Sequence, residues 1–214
     1  MAGVLTTARI VCKSTEARDT VIESFRKIIA YTTPNEPEVL QYVCALPVDD
    51  TLKTEIYMIE EYASPAANDA HMATKPVQDL IQLFSTSDVL AQPPEVHTCP
   101  ISSKHTSGIP PPISSNPAIL LVNVGYKAGT TANALESWRN FTKSASSSVK
   151  ELNLSIVVED KETNSIRAEY VLDSWGAIEG FRYLASEENR TGEVDAVKIR
   201  VIDGYIGRED RSKL

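Results

Sequence analysis

The chemistry-bearing side chains of this sequence concentrate in one short run, Glu60-Glu61-Tyr62-Ala63-Ser64-Pro65-Ala66-Ala67-Asn68-Asp69-Ala70-His71. By residue type His71 is the best general base in the chain, since an unperturbed imidazole titrates at about 6.5. A base of that kind removes a proton, and a dry pocket with hydrogen-bond donors must then hold the resulting oxyanion. The same imidazole serves equally well as a structural tie, holding a helix to a strand through Glu60 or Tyr62. Tyr57 and Tyr62 fall on opposite faces of their strand, so only one of them can face a given pocket. Tyr62 shares its parity with Glu60, Met58 and Ile56 and is expected beside His71.

Outside this run the candidates are scattered. Asn123 interrupts the apolar strand Ile119-Leu120-Leu121-Val122-Asn123-Val124, where a buried amide must be hydrogen-bonded; it either orients a ligand or marks the wetter face of a sheet. Trp138 and Trp175 can stack on an aromatic substrate, or can equally be core residues at helical spacing. His97 and His105 lie in proline-rich sequence without a metal-ligand pattern, so no metal site is expected. Cys12, Cys44 and Cys99 are odd in number and lack metal spacing, which reads as reduced thiols, with Cys12 and Cys44 as small buried hydrophobes. No Gly-rich phosphate loop follows a strand, and no serine has the glycine-flanked setting of a nucleophile elbow.

The elements that must position these residues are legible from periodicity and punctuation. Residues 4–11 form a β-prone run. Residues 15–30 place Ala17, Val21, Phe25 and Ile28 at helical spacing, with Ser14 or Thr15 able to cap and Pro34 and Pro37 beyond. Two strands, 40–46 and 55–62, are joined by Pro47-Val48-Asp49-Asp50 turn chemistry. Pro65 starts a short helix through His71 with Ser64 as N-cap, and Pro76 begins another bearing Val77, Leu80, Ile81 and Phe84. Seven of the twelve prolines fall between Pro93 and Pro117. That stretch reads as an edge strand over 95–101 followed by an extended connector over 102–116.

After the connector the same order returns. Residues 118–126 read as a strand and 130–145 as a helix with Ala134, Leu135, Trp138 and Phe141 on one side. Two alternating strands follow, then a helix from Ser174 through 185 bearing Trp175, Ile178, Phe181 and Leu184, and a last strand over 194–202. An antiparallel sheet roofed by helices on one face leaves its other face and its edges to be covered. In a chain with two copies, packing the two sheets together meets both needs.

The run from Glu60 to His71 resembles the signature of the antibiotic biosynthesis monooxygenase-like (ABM) domains of the dimeric α+β barrel superfamily. In that pattern a strand ends with a glutamate and, two residues on, an aromatic; a serine or aspartate caps the next helix; an alanine follows, then a histidine. Glu60, Tyr62, Ser64, Ala67 and His71 fill those places, and the likeness covers residues 4–101. In the second half, counting from Ser64 and Ala67 onto Ser174 and Ala177 puts Phe181 in the place of His71 and Tyr170 in the place of Glu60. The polar signature is replaced there by aromatic residues.

The resemblance implies an α+β chain of two ferredoxin-like halves, residues 1–101 and 117–207, whose antiparallel sheets pack as an internal pseudo-dimeric barrel. It further implies a cofactor-independent monooxygenase acting on an aromatic or polyketide-type molecule, with His71 and Tyr62 catalytic and Glu60, Asn123, Trp138 and Trp175 against the substrate. The alternative is a noncatalytic binding or stress-related barrel protein.

A net charge of -8 argues against nucleic acid and anionic membrane surfaces as partners. No run reaches the length of a membrane span, and no secretory signal is expected. The polar tail over 208–214 ends in Ser212-Lys213-Leu214, the tripeptide read by the peroxisomal import receptor. The expected location is the peroxisome, and otherwise the cytoplasm. Association into a homodimer is left open.

Overall fold

In chain order the elements are β1 (Val4–Val11), α1 (Thr15–Asn35), β2 (Val39–Pro47), β3 (Glu55–Tyr62), α2 (Pro65–Met72), α3 (Lys75–Thr86), β4 (Glu95–Thr106), a 3-10 turn (Ile113–Ser115), β5 (Ala118–Gly125), α4 (Thr131–Ser148), β6 (Leu152–Asp160), β7 (Ser165–Leu172), α5 (Trp175–Glu179) and β8 (Asp195–Tyr205). The computed structural model describes residues 3–107, 111–181, 190–191 and 194–208. The fold is α+β, and its eight strands follow the order β1-β3-β2-β8-β5-β7-β6-β4, closed as a barrel. No helix among the described residues is long and apolar enough to cross a membrane.

The chain divides into two units, Met1–Thr98 with Val201–Leu214, and Cys99–Arg200. In the first, β3 lies between β1 and β2, antiparallel to both. Ser14 caps α1 by accepting from the Ala17 amide at 3.2 Å, and Glu16 in the first turn complements the helix dipole. Val21, Phe25 and Ile28 then recur on one face of α1 and pack with Ile56, Met58 and Tyr62 of β3 and with Val77 and Leu80 of α3. Each such side chain, fully buried, contributes about 1.5–3 kcal/mol.

In the second unit β7 lies between β5 and β6, again antiparallel. Trp138 of α4 packs with Leu120, Tyr170 and Phe181 in its core.

Four expectations about elements need correction. Helix α1 does not stop before Pro34 but runs to Asn35 with Pro34 inside it. The proline falls in the last turn, where its missing N–H costs one hydrogen bond and the ladder resumes with Glu36 N donating to Thr32 O at 3.0 Å. Strand β4 continues through Thr106 into the expected connector, because it has a partner: residues 101–106 pair with β6 across a register shift that follows Pro100. The helix after Ser174 is short, ending at Glu179 with Gly180 as its cap, so Phe181 lies beyond it, and Leu184 falls outside the described residues. The last strand reaches Tyr205 rather than 202.

Candidate functional site

Strand alternation sends Ile56, Met58, Glu60 and Tyr62 of β3 to one face, the face covered by α1 and α3. The antiparallel register sets Tyr42 of β2 directly opposite Glu60, so a second phenol reaches the same carboxyl. Ser64 caps α2 through a 3.2 Å bond from the Ala67 amide, and Pro65 occupies the first turn. One helical turn after Ala67, His71 therefore points to the same side, and both are buried. The fourth partner comes from the chain just past α1: Glu36, the residue that caps its C-terminus.

These side chains form a connected chain of polar contacts. The Nδ1 of His71 lies 3.0 and 3.2 Å from the two Glu36 carboxylate oxygens, and its Nε2 lies 3.8 Å from Glu60 Oε1. Glu60 accepts a short hydrogen bond from Tyr62 Oη and a further one from Tyr42. Thr32 Oγ1 donates to Glu36 at 2.7 Å. The rings of Tyr42 and Tyr62 each stand 5.5 Å from the imidazole. His71 is 1% exposed, Glu60 6% and Glu36 12% by side chain.

The electrostatics follow from this geometry. Burial alone would lower the pKa of His71, but the hydrogen bond to Glu36 and the charges of Glu60 and Glu36 outweigh it and raise the pKa. For Glu36 burial works upward, and the bonds from His71 and Thr32 with the charges of His71 and Arg208 bring it below the ordinary carboxylate range. Glu60 goes the other way: its burial dominates and raises its pKa despite the charge of His71 and the donors Tyr62 and Tyr42. Burial and Glu60 likewise push both phenols up. The arrangement sets an imidazole whose protonation both carboxyls favour between a carboxyl held toward ionisation and one held toward protonation, and His71 and Glu60 titrate as a pair.

The remaining expected site residues lie in the second unit. Trp138 is fully buried, and its Nε1 donates to Tyr126 Oη at 2.8 Å, which makes it a satisfied core residue. Trp175 is half-buried beneath the Arg200 guanidinium, 5.8 Å from its ring. Its Nε1 and the Oδ1 of Asn123 are buried without a hydrogen-bond partner among the described residues. The Tyr170 and Phe181 rings stand 5.0 Å apart, edge to face, with Phe141 6.5 Å from each. An aromatic cluster thus occupies the places that counting assigned to Glu60 and His71. His97 pairs with Glu95 at 3.0 Å and His105 with Ser103 at 3.1 Å.

All three cysteines are buried. Burial raises the Cys44 thiol to about 12 and Cys99 to about 11, so neither is a nucleophile at neutral pH. Ser212, Lys213 and Leu214 lie outside the described residues. Among the described residues, no three His, Cys, Asp or Glu side chains gather as metal ligands.

Residues 11–83 match the model of the family described as antibiotic biosynthesis monooxygenase. The first half of the chain carries an ABM-like domain. The matched stretch contains Glu36, Tyr42, Glu60, Tyr62 and His71, every member of the buried polar chain.

Over its whole length the chain is similar in fold to a provisionally named monooxygenase from Lactobacillus acidophilus NCFM, with a TM-score of 0.76 at 12% identity over 96% of each chain. A second provisionally named monooxygenase, from Fusobacterium nucleatum, aligns with a TM-score of 0.79 at 13% identity over 95% of this chain and 94% of that one. An anthrone oxidase-like protein aligns with a TM-score of 0.68 at 13% identity over 100% of this chain and 96% of that one. At these identities the likeness is one of fold. No curated protein is significantly similar in sequence.

Sequence reasoning missed Glu36, Tyr42, Thr32 and Arg208 as neighbours of this site. Tyr42 was recoverable, because fixing the register of the β2–β3 hairpin sets it opposite Glu60. Glu36 and Arg208 carried no signal, since nothing in their local sequence says which residue they meet.

Proposed function

We propose that the chain is a cofactor-independent monooxygenase-like enzyme acting on a small aromatic or polyketide-type molecule, with its working site in the ABM-like domain. The observation that supports this reading is the buried chain Glu36–His71–Glu60–Tyr62. Placing two carboxyls and an imidazole in a core costs stability, and groups with perturbed pKa values cluster at functional sites.

The roles divide by charge. Glu60, whose pKa is raised, is matched to accept a proton from an activated methylene or phenol, and the charged His71 holds the resulting oxyanion, with Tyr62 and Tyr42 as donors. The substrate anion itself reduces dioxygen: a CH2 between aromatic rings takes up O2 at carbon as a hydroperoxide, which loses water and leaves a ketone. One oxygen atom enters the product and the other departs as water. The second unit is then a diverged partner copy whose aromatic cluster replaces the polar signature, and the Ser212-Lys213-Leu214 tail directs the protein to peroxisomes.

Oxygen-electrode assays with anthrones and related phenols test this. Consumption with ketone formation is expected, and His71→Gln or Glu60→Gln should lower kcat by about 10²–10⁴. No consumption across the panel, with ligand binding unaltered in His71→Ala, would sink the reading.

A second reading is favoured by one observation. With His71 only 1% exposed and both ring nitrogens facing carboxylates, the cluster also suits a noncatalytic barrel protein in which the imidazole locks α2 to β3. Under that reading His71→Gln lowers the melting temperature without affecting any turnover.

A further inference from the structure

His71 has almost no contact with solvent, so chemistry at its ring needs a way in. Of the side chains around it, Glu60, Tyr62 and Tyr42 stand on strands within the sheet, and Tyr42 and Tyr62 are 1% and 0% exposed. Glu36 is the most exposed neighbour, on the chain between α1 and β2. The last described segment of the chain bonds along that same stretch.

Tyr205 Oη donates to Val39 O at 3.1 Å. The Arg208 guanidinium donates to Glu36 O at 3.2 Å and to Thr32 O at 3.5 Å, supplying in trans the cation that the last turn of α1 lacks. The same guanidinium lies 3.9 Å from the Tyr205 ring centroid, a cation–π contact.

The backbone of this segment is built to turn. Gly204 has φ +115° and Gly207 φ +69°, conformations that L side chains rarely adopt. A Cβ on Gly204 would stand 2.0 Å from Tyr42 O. Tyr205 and Arg208 are each half-buried. Tyr205 packs against the core of the first unit and Ile206 is buried, while the Arg208 end is held by two hydrogen bonds and one stacking contact, the kind of fastening that opens first.

We propose that residues 204–208 are a latch: hinged at Gly204 and Gly207, with Tyr205 and Arg208 fastened along the Thr32–Val39 stretch, the segment closes the Glu36 side of His71, and its release admits substrate to the imidazole. The latch deepens the catalytic reading of the site and rests on it.

Ethoxyformylation by diethyl pyrocarbonate, followed at each histidine by peptide mass spectrometry, tests the latch without any need for turnover. In the intact chain His71 should react far more slowly than His97. In Arg208→Ala its rate should rise about tenfold or more, while His97 and the Cys44 thiol keep theirs. Removing a nearby cation strengthens the hold of His71 on its proton and by itself slows the reaction, so a faster rate reports access.

An unchanged His71 rate overturns the latch. So does a His71 rate that rises together with reaction of Cys44, which is 0% exposed in the same unit, because that pattern is general loosening. Should Arg208→Ala fail to fold, Tyr205→Phe combined with Arg208→Lys is read in the same way. Selective exposure of His71 without oxygen consumption upholds the closure over the imidazole but removes the enzyme reading and, with it, the admission of substrate. Oxygen consumption with His71 no more reactive in Arg208→Ala removes the latch alone.

Discussion

Glu36 and Glu60 flank one imidazole, yet the fold moves them in opposite directions, and substitution can separate them. Glu36 is held ionised by its partners, so Glu36→Gln discards a favourable charge and should cost about 1.5–3 kcal/mol. Burial raises the pKa of Glu60, so the fold favours its charge less than that of Glu36, and Glu60→Gln should cost less, under about 1 kcal/mol. Urea unfolding at neutral pH measures both, and a larger loss for Glu60→Gln would contradict the assignment.

The pH dependence has a definite sign. With its folded pKa raised, His71 contributes stability fully below its unfolded value of about 6.5 and loses it as pH rises through the folded one. The lowered pKa of Glu36 acts at the other end, its contribution disappearing as pH falls through its folded value. Melting temperatures should therefore decline on the alkaline side of about pH 6.5, and His71→Gln should flatten that slope. At this scale Glu60, Tyr62 and His71 could be read from the sequence because strand parity and helical spacing over one short run bring them together. Glu36, 35 residues from His71, could not.

At the scale of elements, the sharpest constraint is the approach of β8 to β2. Gly204→Ala must either displace the Tyr42 carbonyl or straighten a backbone held at φ +115°, and should cost about 2 kcal/mol or more. Calorimetry should show that loss together with a changed environment for Tyr42. An unaltered melting temperature would mean that the strands yield at no cost. Ser64→Ala, which removes the cap of the helix bearing His71, should cost about 1 kcal/mol.

Helix α2 was legible to within a residue because Ser64 and Pro65 announce its start chemically. The end of α1 was not, because a proline in a last turn forfeits only one bond. Nor was the extension of β4, whose strand character past Pro100 comes from its partner β6 and not from its own composition.

For the whole molecule, the order of elements read from the sequence predicted the α+β barrel. The sequence could not reveal that the first unit is discontinuous, completed by Val201–Leu214 from the far end of the chain. Removal of residues 212–214 should move a tagged protein from peroxisomes to cytosol if the proposed address holds. Removal of 201–214 should lower the melting temperature sharply, because the Tyr205 and Arg208 bonds go with that segment; an unchanged melting temperature would show that those bonds are dispensable.

The discontinuity has a consequence in time. Arg208 follows His71 by 137 residues, which at translation rates of roughly 5–20 residues per second amounts to roughly 7 to 27 seconds of synthesis. During that interval the nascent chain already carries its imidazole and both carboxyls but not the arginine that fastens over them. Whatever a ribosome-bound copy of this protein can do, it does uncovered.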